Sequence, residues 1–205
     1  MSPPRNRRRK EDRPDEIADA AFEAFAADGF ERTRLDDVAR RAGVSKGLLY
    51  VYYKTKEELF KAVIRRVVSP YVDTLSQRLE QSEESAEALL RGPVQSFMQQ
   101  LPDTPARVVV KLMISEGARH PDLLDYYWEN VASRGMAMIQ SIVERGVDRG
   151  EFRQSAVTDL PQLVVSPMLV AVVWKIVFSG RSLDSDHLVE THIDMLLTYL
   201  KADAS

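Results

Sequence analysis

Apolar residues recur along this chain at helical spacing. Ile17, Ala21 and Phe25 stand four apart, with Phe22 beside them, and predict one buried stripe on a first helix. Pro14 suits the first turn of that helix, Asp15 and Glu16 complement its positive end, and Gly29 is expected to stop it. A short second helix is predicted over roughly 35–42, burying Leu35, Val38 and Ala39. Gly43 then makes a turn, Ser45 stands where an N-cap is wanted, and a third helix runs from about Lys46 to Tyr53. Thr55-Lys56-Glu57-Glu58 reads as a capping box. It opens a fourth helix through Leu59, Phe60, Val63 and Ile64, which Pro70 should kink or end.

No later stretch sustains period-two alternation, so the pattern stays helical. Further helices are predicted at about 71–81, 86–101, 105–117, 122–148, 159–179 and 185–201. Gly92-Pro93 should bend the second of these, while Thr104-Pro105, His120-Pro121 and Gly150 mark boundaries. The fold class is therefore all-α, with about nine to ten helices. The segment 159–179 is apolar nearly all round, from Leu163 and Val164 to Val177 and Phe178, which is more than one intramolecular face needs. With Leu188, Ile193, Leu196, Leu197 and Leu200 on the last helix, it predicts a homodimer through the last two helices.

Composition narrows the setting. The 205 residues suffice for one medium domain or two small ones, and 44% hydrophobic with 29% charged is an ordinary globular balance. Without cysteine there are no disulfides or thiolate metal sites, and a cytoplasmic location is expected. The basic start of the chain leads into no apolar run, so no signal peptide is expected, and the run Met168 to Trp174 is too short to span a bilayer. The net charge of −3 hides an asymmetry: residues 1–66 hold 16 Lys and Arg against 12 Asp and Glu, and the rest hold 12 against 19. A basic head on an acidic body suggests that the head meets a polyanion. Residues 1–10 read as a disordered basic arm, in which Arg5, Arg7, Arg8, Arg9 and Lys10 suit an adjacent minor groove or a solvated tail.

A short helix, a Gly-centred turn and another short helix, over about 34–53, is the outline of a helix-turn-helix. Val38, Ala39, Ala42, Val44, Leu49 and Tyr53 supply its packing, which leaves Lys46, Gly47, Leu48, Tyr50, Val51 and Tyr52 to face a major groove. Ser45, Lys46 and the free amides of the third helix can bind phosphate. At these residues the chain resembles the TetR family of bacterial regulators. The matching stretches include Gly29-Phe30, Asp37-Val38-Ala39, Ala42-Gly43-Val44-Ser45-Lys46-Gly47, Leu49-Tyr50, Tyr52-Tyr53 and Lys56-Glu57-Glu58-Leu59-Phe60. The likeness covers about residues 11–71. It implies an N-terminal three-helix DNA-binding domain there and a helical ligand-binding and dimerisation domain over 72–205. The resemblance also implies a phosphate contact for Thr33, backbone or thymine-methyl contacts for Lys46, Tyr50, Tyr52 and Lys56, and close approach to a base edge at Gly47. The chain departs from the family at Arg34, which adds a phosphate contact or weakens a cap. It departs again at Leu48 and Val51, whose aliphatic side chains cannot hydrogen-bond bases and point to thymine-methyl and shape readout.

The resemblance further implies a double-stranded DNA operator and a small-molecule effector as partners, with repression relieved by the effector. Phe97, Met98, Met113, Tyr126, Tyr127, Met138 and Trp174 are the candidate pocket lining and suit an apolar or aromatic effector, though side chains of this kind are more often plain core. No catalytic residue, cofactor or metal is expected. His187 and His192 stand five apart and do not share a helical face, and the acids near them, Asp184, Asp186, Glu190 and Asp194, read as a solvated face. His120 before Pro121 reads as a helix boundary, and Glu116 and Arg119 read as surface more readily than as groups that orient a polar part of an effector. The rival reading is a cytosolic helical ligand-binding or catalytic protein without DNA binding, which a salt gradient on heparin would separate from a DNA-binding one.

Overall fold

A computed structural model of the chain describes residues 13–201. The arm residues Arg5, Arg7, Arg8, Arg9 and Lys10 therefore lie outside the described residues. Helices α1 (Arg13–Arg32), α2 (Leu35–Arg41), α3 (Lys46–Tyr52), α4 (Lys56–Val67) and α5 (Ser69–Glu80) come first. Then follow α6 (Ala86–Leu89), α7 (Gln95–Gln100), α8 (Ala106–Glu116) and α9 (Pro121–Tyr127). Last are α10 (Ser133–Asp148), α11 (Ala156–Asp159), α12 (Gln162–Val177) and α13 (Ser185–Leu200). Among the described residues the only β-type pairing is one isolated bridge, between Phe152 and Lys201.

The chain forms two compact units. The first comprises the described residues up to Pro70 and, after a long excursion, Leu112–Tyr127; the second comprises Tyr71–Lys111 and the residues from Trp128 on. In the first unit, Ile17, Ala21 and Phe25 are sealed at 0–1% exposure, as their spacing requires. Gly29 interrupts α1 with φ 79° and ψ 169°, and one further turn continues to Arg32. The expected stop is thus a break, because a residue without Cβ enters the left-handed region at no steric cost. Beyond Val67 the fourth helix ends as Pro70 demands, and α5 starts at Ser69 with that proline in its first turn.

The second unit is built around Leu89, Leu90, Val94, Met98, Val143, Val164 and Ile193, each at 0–1% exposure. The predicted bend at Gly92-Pro93 is a π-turn over Leu90–Val94, and a second π-turn at Trp128–Ala132 leads into α10. After α10 the chain reverses at Gly150 (φ 72°), and the amides of Glu151 and Phe152 both donate to the Gly146 carbonyl, at 2.8 and 3.1 Å. That reversal lays the Phe152 ring over Gly146, while the Glu151 carboxylate accepts from the Ala86 amide at 2.7 Å and caps α6.

A Cβ at Gly146 would run into the Phe152 ring and come within 2.9 Å of the Ala86 Cβ, whereas one at Gly135, on the same helix, meets nothing within 4 Å. Gly146→Ala should therefore destabilise by about 1–3 kcal/mol through overpacking. Gly135→Ala should stabilise by about 0.5–1 kcal/mol through helix propensity. Urea unfolding of the two variants checks the opposite signs.

Candidate nucleic-acid interface

Three phenylalanines hold the first unit together. The break at Gly29 turns Phe30 back beside Phe25, and Phe60 from α4 closes a triangle with ring centroids 5.3–5.5 Å apart. All three are 1% exposed. Each such aromatic pair contributes about 0.5–1.5 kcal/mol beyond its buried area. Tyr53 is buried and its hydroxyl donates to the Pro14 carbonyl at 3.1 Å, so its core role is as expected. Burial pushes its phenol above the ordinary value.

Against this base sit α2 and α3. Gly43 at φ 64° makes the turn, and its left-handed backbone is the reason a glycine stands there. Ser45 caps α3, its hydroxyl accepting from the Leu48 amide at 3.2 Å. Thr55 caps α4 in the same way at 3.1 Å. The return arm of that capping box reaches one residue further than expected, since the Glu58 carboxylate accepts from the Lys54 amide at 2.6 Å. Leu49 at 0% exposure anchors α3, and Val51 on the opposite side is 65% exposed. Lys46 and Gly47 are also exposed, and Leu48, Tyr50 and Tyr52 are half-buried. The Lys46 ammonium pairs with Asp36 at 2.8 Å, which raises its pKa, and lies 5.9 Å from the centroid of the Tyr50 ring. An exposed pair of this kind contributes little to stability.

Two of the residues expected at the DNA are engaged within the fold. Thr33 is 3% exposed, and its hydroxyl donates to the Gly29 carbonyl at 2.7 Å and to that of Ala24 at 3.3 Å. It bridges the break in α1 and does not face outward. The Lys56 ammonium donates to the carbonyls of Phe30 and Glu31, at 2.8 and 3.0 Å, and lies 4.5 Å from the centroid of the Phe30 ring. A cation at the negative end of α1 satisfies carbonyls the helix leaves open, so Lys56 is a clamp within the fold. Arg34 is exposed and stands at the N-cap of α2 without a side-chain cap bond, which is the weakened cap its departure implied.

The segment Leu112–Tyr127 adds a bridge that sequence reasoning missed. His120 Nε2 donates to the Glu31 carboxylate at 2.6 Å while its ring stands edge-on to Phe30. This hydrogen bond, ahead of the nearby cations, holds the Glu31 carboxyl below its ordinary range. Glu116 lies near the pair and is itself bonded to Arg119 at 3.1 Å. No local spacing links residues 31 and 120, so nothing in the pattern signalled it. Of the pocket candidates, Met113, Tyr126 and Tyr127 belong to this first unit. The Tyr126 hydroxyl accepts from Arg65 at 3.0 Å, and burial pushes the Tyr127 phenol up to about 12.

The other candidates belong to the second unit. Met98 is at 0% exposure inside the core, and Phe97 and Met138 pack at its edge. The Trp174 indole donates to the Arg181 carbonyl at 3.3 Å, and its ring lies 4.7 Å from that of Phe178 at a tilt of 51°. Only Met138 among them borders the cleft of about 510 Å³ that lies between α5 and α10. The acids near the last two histidines disperse: Asp184 caps α13, Asp194 pairs with Arg91, and His192 donates to the Leu163 carbonyl.

Comparison with known proteins places both halves of the chain. Residues 17–63 match a profile described as bacterial regulatory proteins, tetR family, and residues 83–196 match a tetracyclin repressor-like C-terminal domain. The chain is 30% identical over 152 residues to the HTH-type transcriptional repressor KstR2 of Mycolicibacterium smegmatis, covering 72% of this chain and 71% of that one. It is 28% identical over 160 residues to the uncharacterized HTH-type transcriptional regulator YfiR of Bacillus subtilis, covering 75% and 74%. Its fold matches FadR of Bacillus subtilis, solved in complex with stearoyl-CoA, with a TM-score of 0.74 at 19% identity over 90% of this chain and 98% of that one.

If Thr33 and Lys56 serve the fold, their loss shows in stability. Thr33→Val and Lys56→Met should each lower the unfolding free energy by about 1–2 kcal/mol, because each leaves carbonyls of α1 without a donor. Equilibrium urea melts check this, and unchanged midpoints would return both residues to the list of DNA contacts.

Proposed function

The chain belongs to the TetR family and is a DNA-binding transcriptional regulator, and from that premise we propose a repressor that leaves its operator when a small molecule binds. The observation that carries this reading is α3, anchored by Leu49 and turning Lys46, Gly47 and Val51 outward. In the proposed division, the helix-turn-helix domain covers 11–71 and the ligand-binding and dimerisation domain 72–205. Ser45 and Lys46 meet phosphates, with Arg34 beside them at the start of α2. Gly47 lets the backbone approach a base edge, and Leu48, Tyr50, Val51 and Tyr52 face thymine methyls or the sugar-phosphate backbone. With no hydrogen-bonding side chain at 48 or 51, sequence preference rests partly on duplex shape.

One short reading helix makes few base contacts, so two copies related by a two-fold axis are needed to grip a palindromic site. The supporting feature is a stripe on α12. Leu163, Val170 and Val177 stand seven apart, with Leu169 and Val173 alongside, and all are 40–61% exposed on a helix whose other side is core. On α13, Met195 and Tyr199 add exposed apolar surface at 66% and 46%. A self-complementary apolar stripe is what an isologous dimer interface requires.

Effector release follows from linkage. A ligand favouring the DNA-incompetent state lowers DNA affinity by the factor by which DNA lowers its own, typically 5- to 150-fold. Ligand binding by relatives of this fold supports the reading: FadR was solved with stearoyl-CoA, and SmeT, at TM-score 0.74 and 21% identity, with triclosan. The family is regulatory, and we assign the chain no catalytic role and a cytoplasmic site of action. No described helix is long and apolar enough to cross a membrane.

Selection of genomic fragments with the purified protein should enrich a short palindromic site. On that site Lys46→Ala should weaken binding and make the log-log salt slope shallower by about one. Retention of no fragment would overturn the regulator reading. Separately, Val173→Glu should shift the dimer to monomer in equilibrium sedimentation while the helical signal stays unchanged. A variant that remains dimeric would place the interface elsewhere.

A further inference from the structure

In the second unit, Arg145 on α10 lines the cleft between α5 and α10. Its Nη1 donates to the Ser82 carbonyl at 3.0 Å, and its Nε and Nη2 are buried without any hydrogen-bond partner among the described residues. In a guanidinium those two nitrogens share one edge, and that edge is the one that grips a carboxylate in two parallel hydrogen bonds. Leaving three N–H donors of a cation buried and unpaired is costly, and such groups in native structures are satisfied by protein, by water or by a ligand.

The rest of the cleft says what that something carries. The other cation on its wall, Arg134, already pairs with Asp73 at 2.6 Å, and the Glu80 carboxylate accepts from the Ser76 hydroxyl at 3.0 Å. Leu79, Ile142, Ala137 and Met138 supply apolar wall, with the first two buried and Met138 half-buried. A volume of about 510 Å³ lies within the range of small-molecule sites. We propose that this cleft takes an amphiphilic carboxylate, with its head on the free edge of Arg145 and an aliphatic tail along α5 and α10. This rests on the effector reading above and narrows it from an apolar or aromatic compound to an anion with an apolar tail. The free edge is sealed from solvent. Binding therefore includes a reorientation of the Arg145 side chain, which the charge-assisted pair offsets.

The experiment uses the full chain and three probes: decanoate, decanol and acetate, by titration calorimetry. Decanoate should bind about tenfold or more tightly than decanol, since a hydrogen bond to a charged group is at stake. Acetate, lacking the tail, should bind more weakly than either. Arg145→Met should bring decanoate down to the level of decanol. Arg145→Lys, which keeps a charge and a donor for Ser82 but not the paired edge, should recover only part of the loss. Equal binding of decanoate and decanol to the wild-type protein would overturn the assignment without recourse to any variant, as would acetate binding as well as decanoate. Retention of genomic fragments by the same preparation separates the two readings. A protein that holds DNA but ignores the charged head loses this cleft assignment and keeps its regulator function.

Discussion

The orientation of the reading helix depends on a glycine and three rings. Gly29 at positive φ lets α1 break and return Phe30 to the side of Phe25, and Phe60 then docks α4 on both. Around the break, Thr33 and Lys56 satisfy the carbonyls that a broken helix leaves open. On α1 rests α2, and on α2 rests α3, where Leu49 is buried and the opposite side of a seven-residue helix points outward. A helix of two turns has no stability of its own in water, so its geometry is borrowed from the base beneath it.

Most of that base is legible in the chain. The four-residue recurrence of Ile17, Ala21 and Phe25, the glycines at 29 and 43, and the caps at Ser45 and Thr55 are local signals, and local rules decide them. Interruptions within long helices are less legible. Gly92-Pro93 announces the π-turn at Leu90–Val94, but the one at Trp128–Ala132 leaves the apolar spacing nearly intact, so one continuous helix reads the same as a helix with a wide turn. The return of Leu112–Tyr127 to the N-terminal unit is invisible for a different reason. It is made by contacts such as His120 with Glu31, far apart in sequence, and no periodicity encodes which distant helix a segment will join.

Candidate site residues divide along the same line. Val51 and Leu49 were legible because burial alternates around a helix, and the structure places one outward and the other inward. Thr33 and Lys56 were not, because a threonine or lysine near a helix end has two physically sound uses. It can reach a phosphate, or it can satisfy the helix's own carbonyls, and the sequence does not say which acceptor is nearer. Here the carbonyls are 2.7–3.3 Å away, and Thr33 is buried. The aromatic and methionine candidates met a similar ambiguity, since large adaptable side chains fill a core as readily as they line a cavity.

Arg145 shows what such ambiguity hides. In the sequence it is one more arginine near the end of a helix, where a cation is expected to complement the dipole and face water. In the fold it satisfies one carbonyl and buries the edge that has no partner. A protein selected for stability alone would have little reason to keep that edge unpaired, because an aliphatic residue of similar reach avoids the desolvation cost. A ligand-responsive protein does have a reason. Donors that are unsatisfied in one state and satisfied in another make the free energy of the body depend on the ligand, and that differential is the only means by which a small molecule can shift a conformational equilibrium. The unpaired edge is then a cost of the empty state that binding removes, and the size of that cost bounds how strongly occupancy of the cleft can act on the protein.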